Sequence, residues 1–133
     1  MPHDTTCDPD EGEMDIMEMV DGSGLYEATY HWQTTFPTTN CSYPHGHQQQ
    51  HATAHLGSDW SDTFHEYAVE RSTSHVAFVL DGQVRINITK DSTPTPIFWD
   101  ARWYLILNTA LGGGWPGPVN ATTRLPVFYE VIK

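Results

Sequence analysis

The chain is 133 residues long, with a formal net charge of -11, 12% aromatic residues, 10 glycines and 9 prolines. A chain of this length forms one domain or part of one, large enough for a real hydrophobic core. The acidic balance argues against nucleic acid or an anionic membrane surface as a partner, and no apolar run approaches the length of a membrane span.

The first residues, "MPHDTTCDPDEG", are polar and acidic, unlike a signal peptide. Three N-x-S/T acceptor tripeptides, at Asn40, Asn87 and Asn120, nevertheless hint at secretion, which suggests a piece of a longer protein. Cys7 and Cys41 leave a disulfide and two free thiols equally open.

The next stretch, "GEMDIMEMV" (Gly12 to Val20), holds Glu13, Asp15 and Glu18 within an apolar run. In an extended strand, residues two apart share a face, so Glu13 and Asp15 point one way and Met14 and Ile16 the other. Regular alternation would turn Glu18 to the apolar side. A β-bulge at Ile16–Met17 returns it to the acidic face, leaving Met14, Ile16, Met17 and Met19 to pack behind. On a helix the three acids would spread over about 200° and not converge.

"LYEATYHWQ", Leu25 to Gln33, alternates an apolar face (Tyr26, Ala28, Tyr30, Trp32) with a polar one (Glu27, Thr29, His31, Gln33) and reads as a strand. Residues 34–59 read as a long polar loop. Within it His47, His51 and His55 are four apart, the spacing at which a helix would align them as metal ligands. Pro44 and Gly46 precede the run and its flanks lack apolar periodicity, so the loop is preferred and no metal site is expected. A strand is expected from Phe64 in "FHEYAVERS". "HVAFVLDGQVRINIT" reads as a hairpin turning at Asp81-Gly82. "RWYLILNTAL" is apolar enough for a central strand, "GGGWPGP" (Gly112 to Pro118) is a tight glycine-rich loop, and "VFYEVIK" is a closing strand at a true domain end. Trp60, Trp99 and Trp103 are assigned to packing. No helix and no repeat are expected, and the fold class is antiparallel all-β.

Three carboxylates on one sheet face suit glycoside hydrolysis. Retaining enzymes use two carboxyl groups about 5–5.5 Å apart, one as nucleophile and one as proton donor. Crowded like charges push pKa values apart, so one acid keeps its proton while another is ionised. A solvated acidic edge strand would show the same spacing.

"GEMDIMEMV" resembles the E-x-D-x-x-E signature of glycoside hydrolase family 16 in its laminarinase-type endo-β-1,3-glucanases. Relatives acting on lichenan or agarose more often carry E-x-D-x-E, without the bulge residue. In order, "ATYHW" is similar to the family's histidine-bearing strand, "DTFHEYAVE" to its F-H-x-Y strand, "VLDGQ" to its V-D-G-Q hairpin and "YLILNTALGGGWPG" to its Y-L-I-L-N-x-A-x-G-G-x-W-P-G segment. The resemblance implies a jelly-roll β-sandwich, Glu13 as nucleophile, Glu18 as general acid/base and Asp15 holding the nucleophile. It also implies His31, Trp115 and Asn108 as substrate-binding residues. The partner would be a β-1,3-glucan, the protein a secreted monomer, with no cofactor and no metal. Departures are Glu70-Arg71, where the family has Glu-Trp, and the weak match of the last strand. The family's domain is also longer, so residues 1–133 would be a partial catalytic domain without its N-terminal strands. A non-catalytic glucan-binding protein or an inactive piece of the hydrolase is the alternative.

Overall fold

A computed structural model describes residues 12–20, 23–33, 47–57, 59–92, 102–126, 128, 130 and 131. Among these residues six strands form two three-stranded antiparallel sheets: β1 (Glu13–Glu18), β2 (Leu25–Gln33) and β3 (His47–His55), then β4 (Tyr67–Arg71), β5 (His75–Leu80) and β6 (Gln83–Thr89). Each sheet is a meander, with β2 and β5 central. The helical pieces among the described residues are two 3-10 turns, Trp60–Asp62 and Lys90–Ser92. No helix there is long and apolar enough to cross a membrane.

The alternation in β2 decides how the sheets meet. Tyr26, Ala28 and Tyr30 have no exposed surface and join Val76, Phe78, Leu80, Ile86 and Ile88 of the second sheet in one core. Met14, Trp32, Ala52, Ala54, Tyr67 and Val69 pack around it. Tyr26 and Tyr67 lie ring to ring at 5.6 Å across the sandwich, and Tyr30 stacks on Trp32 at 5.5 Å. Burying each such aromatic contributes on the order of 2 kcal/mol, which binds the sheets face to face.

The expected hairpin is present. Asp81 and Gly82 both take positive φ, 50° and 74°, the mirror-image turn whose twist matches the flanking strands. The "FHEY" stretch meets this turn. His65 Nδ1 lies 2.8 Å from Asp81 Oδ2 and its Nε2 lies 2.7 Å from the Trp60 carbonyl oxygen, while the Glu66 N–H donates to Asp81 Oδ1. Because of these bonds Phe64 to Glu66 lie outside the ladder, and the strand expected from Phe64 starts at Tyr67. The glycine loop is also as expected, closed by the Gly113 N–H donating to the Gly117 carbonyl at 3.1 Å.

Three expectations need correction. His47–His55 is strand β3, not part of a loop: Ala52, Ala54 and Leu56 face the core while His51, Thr53 and His55 face out. Histidines four apart in a strand share a face but stand about 13 Å apart, too far for one ion. "RWYLILNTAL" is not a central strand. Residues 104–111 lie outside any strand and Leu105 is 69% exposed, because no described strand flanks the segment to complete a ladder. In the closing segment, Phe128, Glu130 and Val131 are exposed and outside a strand, so the described part does not support the expected pairing. Cys7, Cys41, Asn40, Pro44, Gly46 and Trp99 lie outside the described residues.

Of the packing tryptophans, Trp103 lies against the core with the Arg71 guanidinium 5.7 Å above its ring. Trp60 is half-buried in its 3-10 turn.

Candidate active site

The register of β1 on β2 contains the irregularity that the acid spacing demands. Glu13 pairs with His31 and Asp15 with Thr29, but Glu18 pairs with Glu27, so three steps on β1 span two on β2. One residue is extra. Glu13, Asp15 and Glu18 thus share the face that carries Glu27, Thr29 and His31 on β2.

The bulge is held from beneath. The Tyr26 hydroxyl, on the core face of β2, donates to the Ile16 carbonyl at 3.1 Å. A bulge frees backbone groups from the ladder, and a buried carbonyl without a partner would cost on the order of 1–3 kcal/mol. The extra residue is turned out: Met17 is 45% exposed, whereas Met14 and Met19 pack on the core. The expectation that Met17 packs behind the acids is therefore corrected, since a bulged side chain has no pleat to occupy.

His31 Nε2 lies 3.0 Å from Asp15 Oδ2. Atoms of Glu13, Asp15 and His31 converge within 4.8 Å of one another, a spacing a divalent cation would also accept. The directed His31–Asp15 contact explains the convergence without an ion. On its other side, His31 Nδ1 lies 3.1 Å from His47 Nε2 of β3, with the rings 5.0 Å apart.

Electrostatics separate the acids. Partial burial, then the charges of Asp15 and Glu27, push Glu18 up to about 6, against the opposing pull of His31 and of the Thr29 hydroxyl bond. Thr29 itself is buried at the floor of the site. Burial alone would lower His31, but its hydrogen bond to Asp15 and the charges of Asp15, Glu13 and Glu18 prevail and raise it. Glu18 thus holds its proton to higher pH than an ordinary carboxyl group, beside acids that favour the protonated form of His31.

The remaining expected residues, Trp115 and Asn108, take no part in these contacts. Trp115 is 55% exposed on the glycine loop and Asn108 is exposed in the 102–111 segment. Among the described residues, no hydrogen bond, ion pair or ring contact joins either to the three acids. Three site residues went unassigned from sequence: Glu27, Thr29 and His47. Glu27 and Thr29 carried a signal, lying on the same polar alternation as His31. His47 was masked by the loop reading of its segment.

The family model described as glycosyl hydrolases family 16 matches residues 3–124. The chain belongs to glycosyl hydrolases family 16. Among solved structures it is similar to the laminarinase catalytic domain of Thermotoga maritima MSB8, crystallised with cetyltrimethylammonium bromide. The identity is 28% and the TM-score 0.61, covering 88% of this chain and 46% of that one. It also shares its fold, at 20% identity and TM-score 0.52, with a structure reported among endo-acting O-glycanases of human gut microbiota that initiate mucin breakdown. That match covers 63% of this chain and 28% of the other. No curated protein sequence matches. The chain therefore spans under half the length of either structure. The two facing sheets are those of a jelly-roll sandwich of family 16 type, with the acids on the outer face of the β1-β2-β3 sheet.

Proposed function

We propose that this family 16 chain hydrolyses internal β-1,3-glucosidic bonds of laminarin-like β-glucans by retaining double displacement. Glu13 attacks the anomeric carbon while Glu18 gives its proton to the leaving oxygen. Glu18, now a carboxylate, takes a proton from water, which breaks the glycosyl–Glu13 ester and restores both groups. Asp15, paired with His31, orients the nucleophile. His31 also faces the sugar, and Trp115 and Asn108 are assigned to the substrate, the indole as a stacking platform.

One observation carries this reading: the bulge sets all three acids on one face and leaves Glu18 with a pKa of about 6. The test is laminarin digestion by the 133-residue chain, with proton NMR of the first product. Reducing ends released first as the β-anomer support it, and an α-anomer formed first overturns retention. Extracellular action belongs to the same proposal, supported by two exposed acceptor asparagines. Asn87 lies on β6, and Asn120 Oδ1 accepts the Thr122 N–H at 2.8 Å and hydroxyl at 2.6 Å.

A second reading, a glucan-binding protein or inactive piece of the hydrolase, is favoured by the exposed 104–111 segment that carries Asn108. Laminarin binding without any bond cleavage would select it.

A further inference from the structure

His47 follows from none of the family motifs, yet it stands against the site. It is the first residue of β3, opposite Gln33 in register and on the same face as His31 and the acids. We propose that His47 is a positioning residue: it holds the His31 ring so that Nε2 stays directed at Asp15, and through that contact it keeps Asp15 and Glu13 in working geometry. This rests on the catalytic reading of the acids given above.

The argument is one of donors and acceptors. A carboxylate only accepts, so His31 Nε2, 3.0 Å from Asp15 Oδ2, must carry hydrogen. In a neutral His31 ring, Nδ1 is then an acceptor, and the nitrogen 3.1 Å away, His47 Nε2, must donate to it. When His31 is protonated, Nδ1 donates instead and His47 Nε2 accepts, its own hydrogen moving to Nδ1. His47 can play either part because neutral imidazole has two tautomers. The His31–Asp15 bond is thereby preserved in both charge states of His31.

A side chain of fixed polarity could satisfy only one of them. Water could bond Nδ1 but could not fix the ring plane, which the 5.0 Å ring contact with His47 does. Ring orientation matters because a half-turn about χ2 would put Cε1 where Nε2 stands and Cδ2 where Nδ1 stands, replacing the N–H that meets Asp15 with a C–H. His51, opposite Thr29 two residues further along the same face from Gln49, is exposed and makes no such contact among the described residues.

The test compares His47→Ala, His47→Phe and His47→Gln. Phe keeps the ring without nitrogens, and Gln presents an N–H near the position of Nε2. Ala and Phe should each lower kcat on laminarin about tenfold, with KM changed less than about twofold, and Gln should recover most of the loss. On a His31→Ala background, His47→Ala should have no further effect. Equal kcat for wild type and Ala, a loss that Phe restores, or additive losses in the double variant would each overturn the proposal.

A second measurement is independent of turnover. Imidazole 15N–1H NMR of the wild-type chain at pH 8 should show His31 as the Nε2–H tautomer, and His47→Ala should shift it toward a tautomer mixture. A wild-type His31 protonated on Nδ1, or a tautomer indifferent to His47→Ala, overturns the role of His47. A chain inactive on laminarin instead counts against the glucanase reading, and the NMR experiment alone then decides on His47.

Discussion

At pH 7, a carboxyl group with a pKa near 6 keeps its proton in about one molecule in ten, and at pH 5 in about nine of ten. Glu18 is such a group. The first half-reaction needs its proton, so kcat/KM should fall on the alkaline side with an apparent pKa near 6. Glu27 faces Glu18 directly across the ladder, and its charge is one of those raising Glu18. Glu27→Gln should therefore move the alkaline limb to lower pH while leaving the acid limb in place. A limb that stays put or moves upward in the pH profile would remove Glu27 from the site. Glu27 was readable in the sequence as part of a polar strand face. Its partnership with Glu18 was not, since that depends on which β1 residue a bulge brings opposite.

At the scale of elements, the bulge depends on Tyr26. Tyr26→Phe leaves the Ile16 carbonyl without its donor, and should cost about 1–3 kcal/mol, seen as a Tm lower by about 4–10 °C. If the bulge aims Glu18, kcat should fall as well. An unchanged Tm and kcat would show the bulge to be held by other means.

The hairpin offers a test by pH. Both His65 nitrogens face acceptors, Asp81 Oδ2 and the Trp60 carbonyl, so both bonds require the protonated ring. The Asp81 bond, then the Trp60 bond, raise His65 above 6.5. The His65 bond, then the Glu66 N–H, lower Asp81 below 3.8. The His65 contribution is complete below pH 6.5 and fades as pH rises through the raised value. The Asp81 contribution is present above pH 3.8 and fades as pH falls through the lowered one. Thermal melts should therefore lose stability on the alkaline side, and Asp81→Asn, which tolerates the positive φ, should flatten that loss. A slope unaffected by the substitution would assign it to another group.

The same scale explains what sequence reading found and missed. β1, β2 and the β5–β6 hairpin have strong local signals: alternation, a misplaced acid, an Asp-Gly pair. On the core-side face of β3 Gln48 and Gln50 stand in line with Ala52 and Ala54, so two small apolar residues alone mark the period, and its histidines and glutamines hid it. Hydrophobicity placed 102–111 in a sheet centre, but a strand exists only where neighbours complete its hydrogen bonds, and such neighbours are a tertiary fact.

For the whole molecule, that segment is a notable apolar stretch of surface among the described residues. Tyr104, Leu105, Ile106 and Leu107 are exposed in succession, with exposed Leu111 further on, in a chain of net charge -11. Stretches of this kind mark contact surfaces or sites of aggregation. The isolated chain should associate as concentration rises, and Leu105→Glu with Leu107→Glu should suppress this in light scattering without lowering Tm. A chain that scatters as a monomer up to about 100 μM would show the stretch to be covered in solution. Arg71 gives a smaller example: its guanidinium rests over Trp103 and covers part of an aromatic surface.

The extra residue between Asp15 and Glu18 also constrains how such genes can change. Losing the Met17 codon would leave E-M-D-I-E, in which plain alternation again aligns all three acids, as in the shorter form of the signature. Gaining one codon there would set the last acid four steps from Asp15, again an even number, so plain alternation would keep it on the acidic face but about 7 Å further along the strand. A change of one residue either way thus keeps the last acid on its face and removes the need for the bulge, and what differs is how far that acid stands from the first two.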